Sequence, residues 1–288
     1  MKAELYLQKI KNDFPQIKWK KHRVLTHGWD HIIIVLDEKI IFRFPKDKEY
    51  KDEFQNEIQL LRYLKKRFRV GIPEYKYISK DKSIAGYDMV RGRELTVSRF
   101  RRLSASEKDT VAKQLSGFIS ALHATPKSVM TKYNVRDENQ EKIYKELVSN
   151  VKKLLFPRLR KKDIQLIEDY LVELKDALGH KYSNALVHND LSAEHILWDD
   201  KLKQTNIIDF SDRAFGDPAI DFSGLLEYGQ KFTEKVLDLY SGKKDSQILK
   251  RSQLYFKRVP LSIMIDSMIG YPCTFEQGYT MFKKRFKV

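Results

Sequence analysis

The chain has 288 residues, of which 42% are hydrophobic, which is ample for a sizeable core. Lys and Arg outnumber Asp and Glu by 55 to 39, a formal net charge of +16, yet the basic residues are scattered and sit in no zinc finger or aromatic RNP strand. Neither nucleic acid nor a membrane is expected as a partner, and the excess charge reads as solvated surface.

The opening stretch MKAELYLQKIKNDF spaces its apolar residues like a helix and lacks the continuous apolar core of a signal peptide. Near the front, the longest purely apolar run, Ile32 to Leu36, falls far short of the ~20 residues that cross a bilayer. The single cysteine, Cys273, cannot form an intrachain disulfide and suits a reducing compartment, so the cytoplasm is the expected location. Short β-like runs then dominate: Ile17–Thr26, His31–Leu36, Ile40–Phe44, Tyr75–Ile78 and Ile84–Val90. One helix interrupts them between Glu49 and Phe68, with Phe54, Ile58, Leu61 and Leu64 at helical spacing. These segments predict a small antiparallel-sheet lobe with one main helix over residues 1–91.

Gly92 stands where the pattern changes, and residues 92–288 predict a larger, mostly helical lobe. Helices are expected over Ser104–His123, Asp137–Leu155, Lys162–Leu178, Pro218–Tyr228, Phe232–Tyr240 and beyond Asp245. Two strand-like runs, Ile196–Trp198 and Thr205–Asp209, interrupt them. The fold class is α+β.

Those two runs frame the densest motif, Leu186-Val187-His188-Asn189-Asp190-Leu191-Ser192-Ala193-Glu194-His195-Ile196-Leu197, followed by Ile207-Ile208-Asp209-Phe210. Kinase catalytic loops place an Asp two residues after a His, a metal-binding side chain five further on, and a metal-binding Asp on the next strand. In that pattern Asp190 accepts the substrate hydroxyl proton, while His195 and Asp209 hold divalent ions on nucleotide phosphates. Each of these residues alone would read as a turn or core residue. Together, at this spacing, they point to phosphoryl transfer.

The segments HNDLSAEHILW, IIDFSD and GDPAIDFSGL resemble the aminoglycoside phosphotransferase family, most closely its 2″-hydroxyl-modifying branch, and the resemblance runs from about Leu25 to the C-terminus. It implies a two-lobed protein-kinase-like fold, GTP or ATP as phosphate donor, Mg²⁺ as cofactor and antibiotic resistance as the physiological setting. His195 takes the metal-binding position that is Asn in protein kinases. Ile40-Ile41-Phe42-Arg43-Phe44-Pro45 is similar to the strand whose basic residue contacts phosphates and pairs with a helix Glu. Arg43 fills that position where close relatives carry Lys, and Glu57 is the pairing candidate. The phosphate-covering turn falls on Thr26-His27-Gly28-Trp29-Asp30. Ala85 to Gly92 resembles the family linker, implying that the main chain of Asp88 and Val90 meets the base edge, with Ile41, Leu197 and Ile208 lining its pocket. A large ring at Tyr87, bordering the back of that pocket, leans the reading towards GTP. Asp217-Pro218 reads as a helix cap followed by a first-turn proline, and Asp221, one turn on, as a brace for the catalytic loop.

Only residues 210 to 217 separate Asp209 from Pro218, and no Ala-Pro-Glu signature follows, which leaves no room for a peptide-binding activation segment. The substrate is expected to be a small hydroxyl compound. An aminoglycoside is first choice, with Ser192, Asp212 and Glu227 as substrate-facing residues beside Asp190, and Glu276 a looser candidate. A macrolide or a metabolic hydroxyl compound comes second, and a catalytically weak nucleotide-binding protein third, the last suggested by Arg43 and the single-glycine turn.

Overall fold

The computed structural model describes residues 2–26, 31–46 and 49–287. The phosphate-covering turn expected at 26–30 therefore lies outside the described residues apart from Thr26. The chain divides into two units, one of Met1–Leu95, Pro126–Val135 and Glu194–Asp212, the other of Thr96–Thr125, Arg136–Ala193 and Arg213–Val288.

The first unit is built on five antiparallel strands, β1 (His22–Leu25), β2 (His31–Leu36), β3 (Ile40–Pro45), β4 (Tyr75–Ile78) and β5 (Ala85–Asp88), in the order β1-β2-β3-β5-β4. Side chains alternate across a strand, so β3 sends Phe42 and Phe44 to one face and Ile41 and Arg43 to the other. On the first face Phe42 and Phe44 join Ile34, Leu36 and Ile84 with Ile10 and Phe14 of α1 (Lys2–Asp13) in one apolar cluster. α2 (Glu49–Lys65) covers the second face with its buried stripe Phe54, Ile58, Leu61 and Leu64. Each such buried side chain contributes roughly 1.5–3 kcal/mol, so the two helices clamp β3 from both sides. The run expected as a strand from Ile17 shortens to β1, because the N–H groups of Lys20 and Lys21 bond to the Asp37 carboxylate (3.0 and 2.6 Å).

A second sheet of this unit has the order β6-β8-β9, with β6 at Arg93–Glu94, β8 at Ile196–Asp199 and β9 at Gln204–Ile207. Gly92 precedes β6 at φ +104°, and a β-carbon there would stand 2.8 Å from the Trp198 carbonyl carbon, so only glycine fits. Asn206 accepts from the Gly71 N–H (2.7 Å) and donates to the Arg91 carbonyl (2.8 Å), pinning the segment between β5 and β6.

The second unit is helical: α3 (Val97–Arg102), α4 (Ala105–His123), α6 (Gln140–Asn150), α7 (Lys161–Gly179), α8 (Ile220–Ser223), α9 (Gln230–Leu239), α10 (Ile248–Met268) and α11 (Phe275–Phe286). The short α5 (Lys127–Lys132) belongs to the first unit. Capping boxes start α4 (Ser104 with Glu107) and α11 (Thr274 with Gln277). α10 carries Pro260, which has no N–H for the Phe256 carbonyl. Arg285 of α11 supplies the missing donor at 2.5 Å and stacks 3.6 Å over the Phe256 ring.

Several elements differ from expectation. A strand pair, β7 (Ala185–Val187) with β10 (Ala214–Gly216), was not foreseen, since three residues carry no periodicity. The helix expected from Asp137 starts at Gln140, where Asn139 caps it, and ends in a π turn at Val151–Leu155. The helix expected over Pro218–Tyr228 is α8 followed by a tighter 3₁₀ turn, Gly224–Tyr228. Among the described residues no helix is long and apolar enough to cross a membrane.

Candidate active site

In the first unit Arg43 is almost wholly buried. Its Nη1 donates to Glu57 (2.6 Å) and to the Tyr75 hydroxyl (2.7 Å), and its Nη2 meets His31 Nδ1 (3.0 Å) and donates to Ser211 Oγ (2.6 Å). Burial opposes the positive charge, but the Glu57 carboxylate, with Tyr75 and Asp209, more than offsets it and raises the guanidinium well above its ordinary pKa. The guanidinium also lies 5.3 Å over the Phe54 ring. A planar fork is the side chain suited to this many partners, and a lysine ammonium is not. Glu57 receives a further bond from Tyr75 (3.0 Å) and is 1% exposed, so it pairs in the core rather than in solvent.

The residues expected to line the base pocket belong to the same unit. Ile41 faces Tyr87 across the β3–β5 ladder. The Tyr87 ring is buried, stands edge-on to Tyr75 at 5.1 Å, and burial pushes its hydroxyl pKa up. Leu197 is buried in β8, and Ile208, half-buried, donates its N–H to the His195 carbonyl (3.0 Å). Asp88 is exposed, its carboxylate tied to Lys76 (2.6 Å) and Tyr77 (3.2 Å), and Val90 is half-buried.

His195 and Asp209 also belong to this unit, with Nε2 and Oδ2 3.8 Å apart. Asp209 follows β9 at φ +63°, a left-handed conformation that Asp tolerates better than most residues. Its Oδ1 accepts from the Ser211 hydroxyl (2.9 Å) and N–H (3.3 Å). Among the described residues no third His, Cys, Asp or Glu joins this pair in a metal-sized group. A set of one or two protein ligands suits Mg²⁺, which keeps phosphate oxygens and water for its remaining positions. The carboxylate is the natural hard-ion ligand and the imidazole the weaker one.

The loop that carries Asp190 belongs to the second unit. β7 ends at Val187, and the next two N–H groups, of His188 and Asn189, donate to the two oxygens of the fully buried Asp221 (2.9 and 2.8 Å). Asp221 also meets His123 Nε2 (3.1 Å), whose Nδ1 reaches the Tyr240 hydroxyl (2.8 Å). Asn189 adopts φ +70° and donates through Nδ2 to Glu138 (3.0 Å). Gly224 presses on the loop so closely that a β-carbon would lie 2.1 Å from the Leu191 carbonyl oxygen. Asp190 and Ser192, both half-buried, follow as a turn in which the Ser192 N–H donates to the Asp190 carbonyl (3.0 Å).

Asp217 is buried, accepts from the Ala219 N–H (3.0 Å), and is gripped by Arg251 (2.6 and 3.1 Å) and Tyr255 (2.7 Å). Arg251 also bonds Asp245 (2.7 and 2.8 Å). Of the expected drug-facing residues, Glu227 is paired with Arg285 (3.3 Å), Asp212 is exposed, and Glu276 is exposed on α11. Burial pushes the Arg285 pKa down to about 10, with Glu227 opposing, so this guanidinium keeps its charge at neutral pH. Reasoning from sequence did not single out Ser211, Tyr75, His31, His123 or Glu138. Their partners lie as much as 168 residues away, so no local spacing reports them.

This is the frame of a kinase that acts on small molecules, and the match to the phosphotransferase enzyme family over residues 21–245 places the chain in that family. The GDP complex of wild-type aminoglycoside 2′-phosphotransferase-IIIa is similar over 98% of both chains, at 26% identity and a TM-score of 0.87. A GDP and kanamycin complex of an APH(2″) enzyme is similar at 26% identity and TM-score 0.86, again over 98% of each chain. Viomycin phosphotransferase of Streptomyces vinaceus is 28% identical over 135 residues, 46% of this chain and 46% of that protein, so the matched stretch spans about half of that curated relative.

Proposed function

We propose that this protein is a cytoplasmic kinase that moves the γ-phosphate of GTP or ATP to a hydroxyl of a small molecule, with an aminoglycoside antibiotic as the first choice of acceptor. The observation that carries the reading is the loop at Asp190, whose two preceding N–H groups are held by the buried Asp221. Such anchoring keeps a carboxylate in one place, as a general base requires. Asp190 orients the acceptor hydroxyl and takes its proton late, once charge has developed on the transferring phosphoryl group. Asp209 and His195 would hold Mg²⁺, which when bound neutralises phosphate charge. Ile41, Leu197, Ile208 and Tyr87, with the main chain of Asp88 and Val90, form the base site, and Ser192, Asp212 and Glu227 face the acceptor. Relatives that bind GDP, one of them with kanamycin, support both the guanine nucleotide and the aminoglycoside.

One observation favours a second reading. Glu227 is neutralised by Arg285 within the same unit, which thins the negative charge available to a polycation. A macrolide or another hydroxyl compound of lower charge is the alternative acceptor. Phosphate transfer by the purified protein, with GTP and ATP each offered against kanamycin, gentamicin, a macrolide and an uncharged polyol, separates the readings. Transfer to the aminoglycosides supports the first. Robust transfer confined to the low-charge acceptors replaces it with the second, and no transfer to any acceptor overturns the kinase assignment.

A further inference from the structure

The fork of Arg43 ends on a residue to which the proposed chemistry assigns no task. Nη2 donates to Ser211 Oγ at 2.6 Å, and the same hydroxyl lies 2.9 Å from Asp209 Oδ1. Arginine is a donor under all conditions and a hydroxyl has one hydrogen, so the direction is set: Arg43 donates to Ser211, and Ser211 donates to Asp209. We infer that Ser211 is a positioning residue, which carries the fixed place of Arg43 to the carboxylate of Asp209 and selects the oxygen that the carboxylate offers to the metal ion. The inference rests on the reading of Asp209 as a metal ligand.

Three features support it. Arg43 is itself immobile, because Nη1 is held by Glu57 and Tyr75 in the core between β3 and α2. Asp209 sits at φ +63°, a left-handed conformation that L-residues seldom adopt, and both the hydroxyl and the N–H of Ser211 converge on its Oδ1 to hold it there. With Oδ1 so engaged, Oδ2 is the oxygen turned to His195 Nε2, 3.8 Å away. The same arrangement explains the basic residue of β3. An ammonium can serve Glu57, but it cannot also reach Tyr75, His31 and Ser211 in the fixed planar geometry of a guanidinium. Arg43 therefore acts on the metal site through Ser211, and a lysine at this position would not replace it.

The test is a Mn²⁺ titration followed by electron paramagnetic resonance, with GDP as the nucleotide, on the wild type and on Ser211→Ala, Ser211→Thr and Arg43→Lys. Removing a bond that orients a metal ligand typically costs ten- to a hundredfold in affinity. Ser211→Ala is expected to weaken Mn²⁺ binding by about tenfold or more, while GDP affinity without metal and thermal stability change little. Ser211→Thr, which keeps the hydroxyl, restores it, and Arg43→Lys is expected to weaken Mn²⁺ binding as Ser211→Ala does. Should Ser211→Ala fail to fold, Ser211→Cys, close in shape and poor at hydrogen bonding, carries the same expectation. Unchanged Mn²⁺ affinity in the Ala or Cys variant overturns the inference. No Mn²⁺ binding by the wild type with GDP overturns instead the reading of Asp209.

Discussion

The N–H of Asn189 donates to Oδ1 of Asp221 at 2.8 Å, a bond between residues 32 positions apart that sets the chain one residue before Asp190. Asp221 is fully buried and also receives the His188 N–H and His123. Replacing it with Ala leaves buried donors without their acceptor, which costs about 3 kcal/mol. Asp221→Ala is expected to lower the urea unfolding midpoint by that equivalent and to lose transfer activity, with Asp221→Asn in between. An Ala variant as stable and active as the parent would remove Asp221 from the loop's support.

Asp190 and Asp209 should separate cleanly in kinetics. Asp190→Ala is expected to lower kcat by roughly 10²–10⁴ with nucleotide affinity nearly unchanged, because the side chain acts in the transition state. Asp209→Ala is expected to abolish the metal dependence of nucleotide binding, and His195→Ala to weaken it less, a carboxylate being the better hard-ion ligand. Calorimetric titration of GDP with and without Mg²⁺ checks both. Equal losses in the His195 and Asp209 variants would contradict the ranking.

Tyr87 is packed edge-on against Tyr75, whose hydroxyl is in turn tied to Arg43 and Glu57. A ring so braced cannot swing aside for a base that sits deeper. Tyr87→Ala is expected to shift competition between GTP and ATP towards ATP, with a modest loss of stability from the vacated volume. An unchanged preference would exclude Tyr87 from base selection.

Asp245 gives a pH signature. Hydrogen bonds from Arg251 hold its carboxyl below the ordinary value of 3.8, with burial opposing and the Gln247 N–H adding to the effect. A folded pKa below the unfolded one stabilises the native state at pH above the unfolded value, and that contribution is lost as pH falls from about 3.8 through the lower folded value. Thermal midpoints between pH 3 and 7 should fall off more shallowly at the acid end in Asp245→Asn than in the parent, from a lower plateau at pH 7. Parallel curves would show that Asp245 contributes nothing to the acid limb.

The motif around Asp190 stood out because its residues fall at short spacings: His188 to Asp190, then His195, then Asp209. The Arg43–Glu57 pair was legible through the resemblance of Ile40–Pro45 to the family strand whose basic residue pairs with a helix Glu. Ser211 could be read only as a turn residue, since its link to Arg43 exists once β3 and the end of β9 have been brought together. The same holds for Asp217, where the sequence suggests a simple cap and the structure adds Arg251, Tyr255 and Asp245 from 28 to 38 residues downstream, as the hydrogen bonds at separations of 34 and 38 illustrate. The extra strands escaped notice because three residues in a ladder have too few alternations to register as a period.

The first unit is assembled from three separate stretches of chain, Met1–Leu95, Pro126–Val135 and Glu194–Asp212. During synthesis, β3 and α2 emerge long before Ser211 does. A gap of 168 residues corresponds, at roughly 5–20 residues per second, to about ten to thirty seconds of elongation. Through that interval the nascent sheet holds a buried cation without its last partner, and β6 waits for the two strands that complete its sheet. Non-local pairing of this kind slows folding and extends the time that unpaired edges are exposed. A fragment that ends before Asp212 is thus an unfinished unit with open edges, not a smaller version of it.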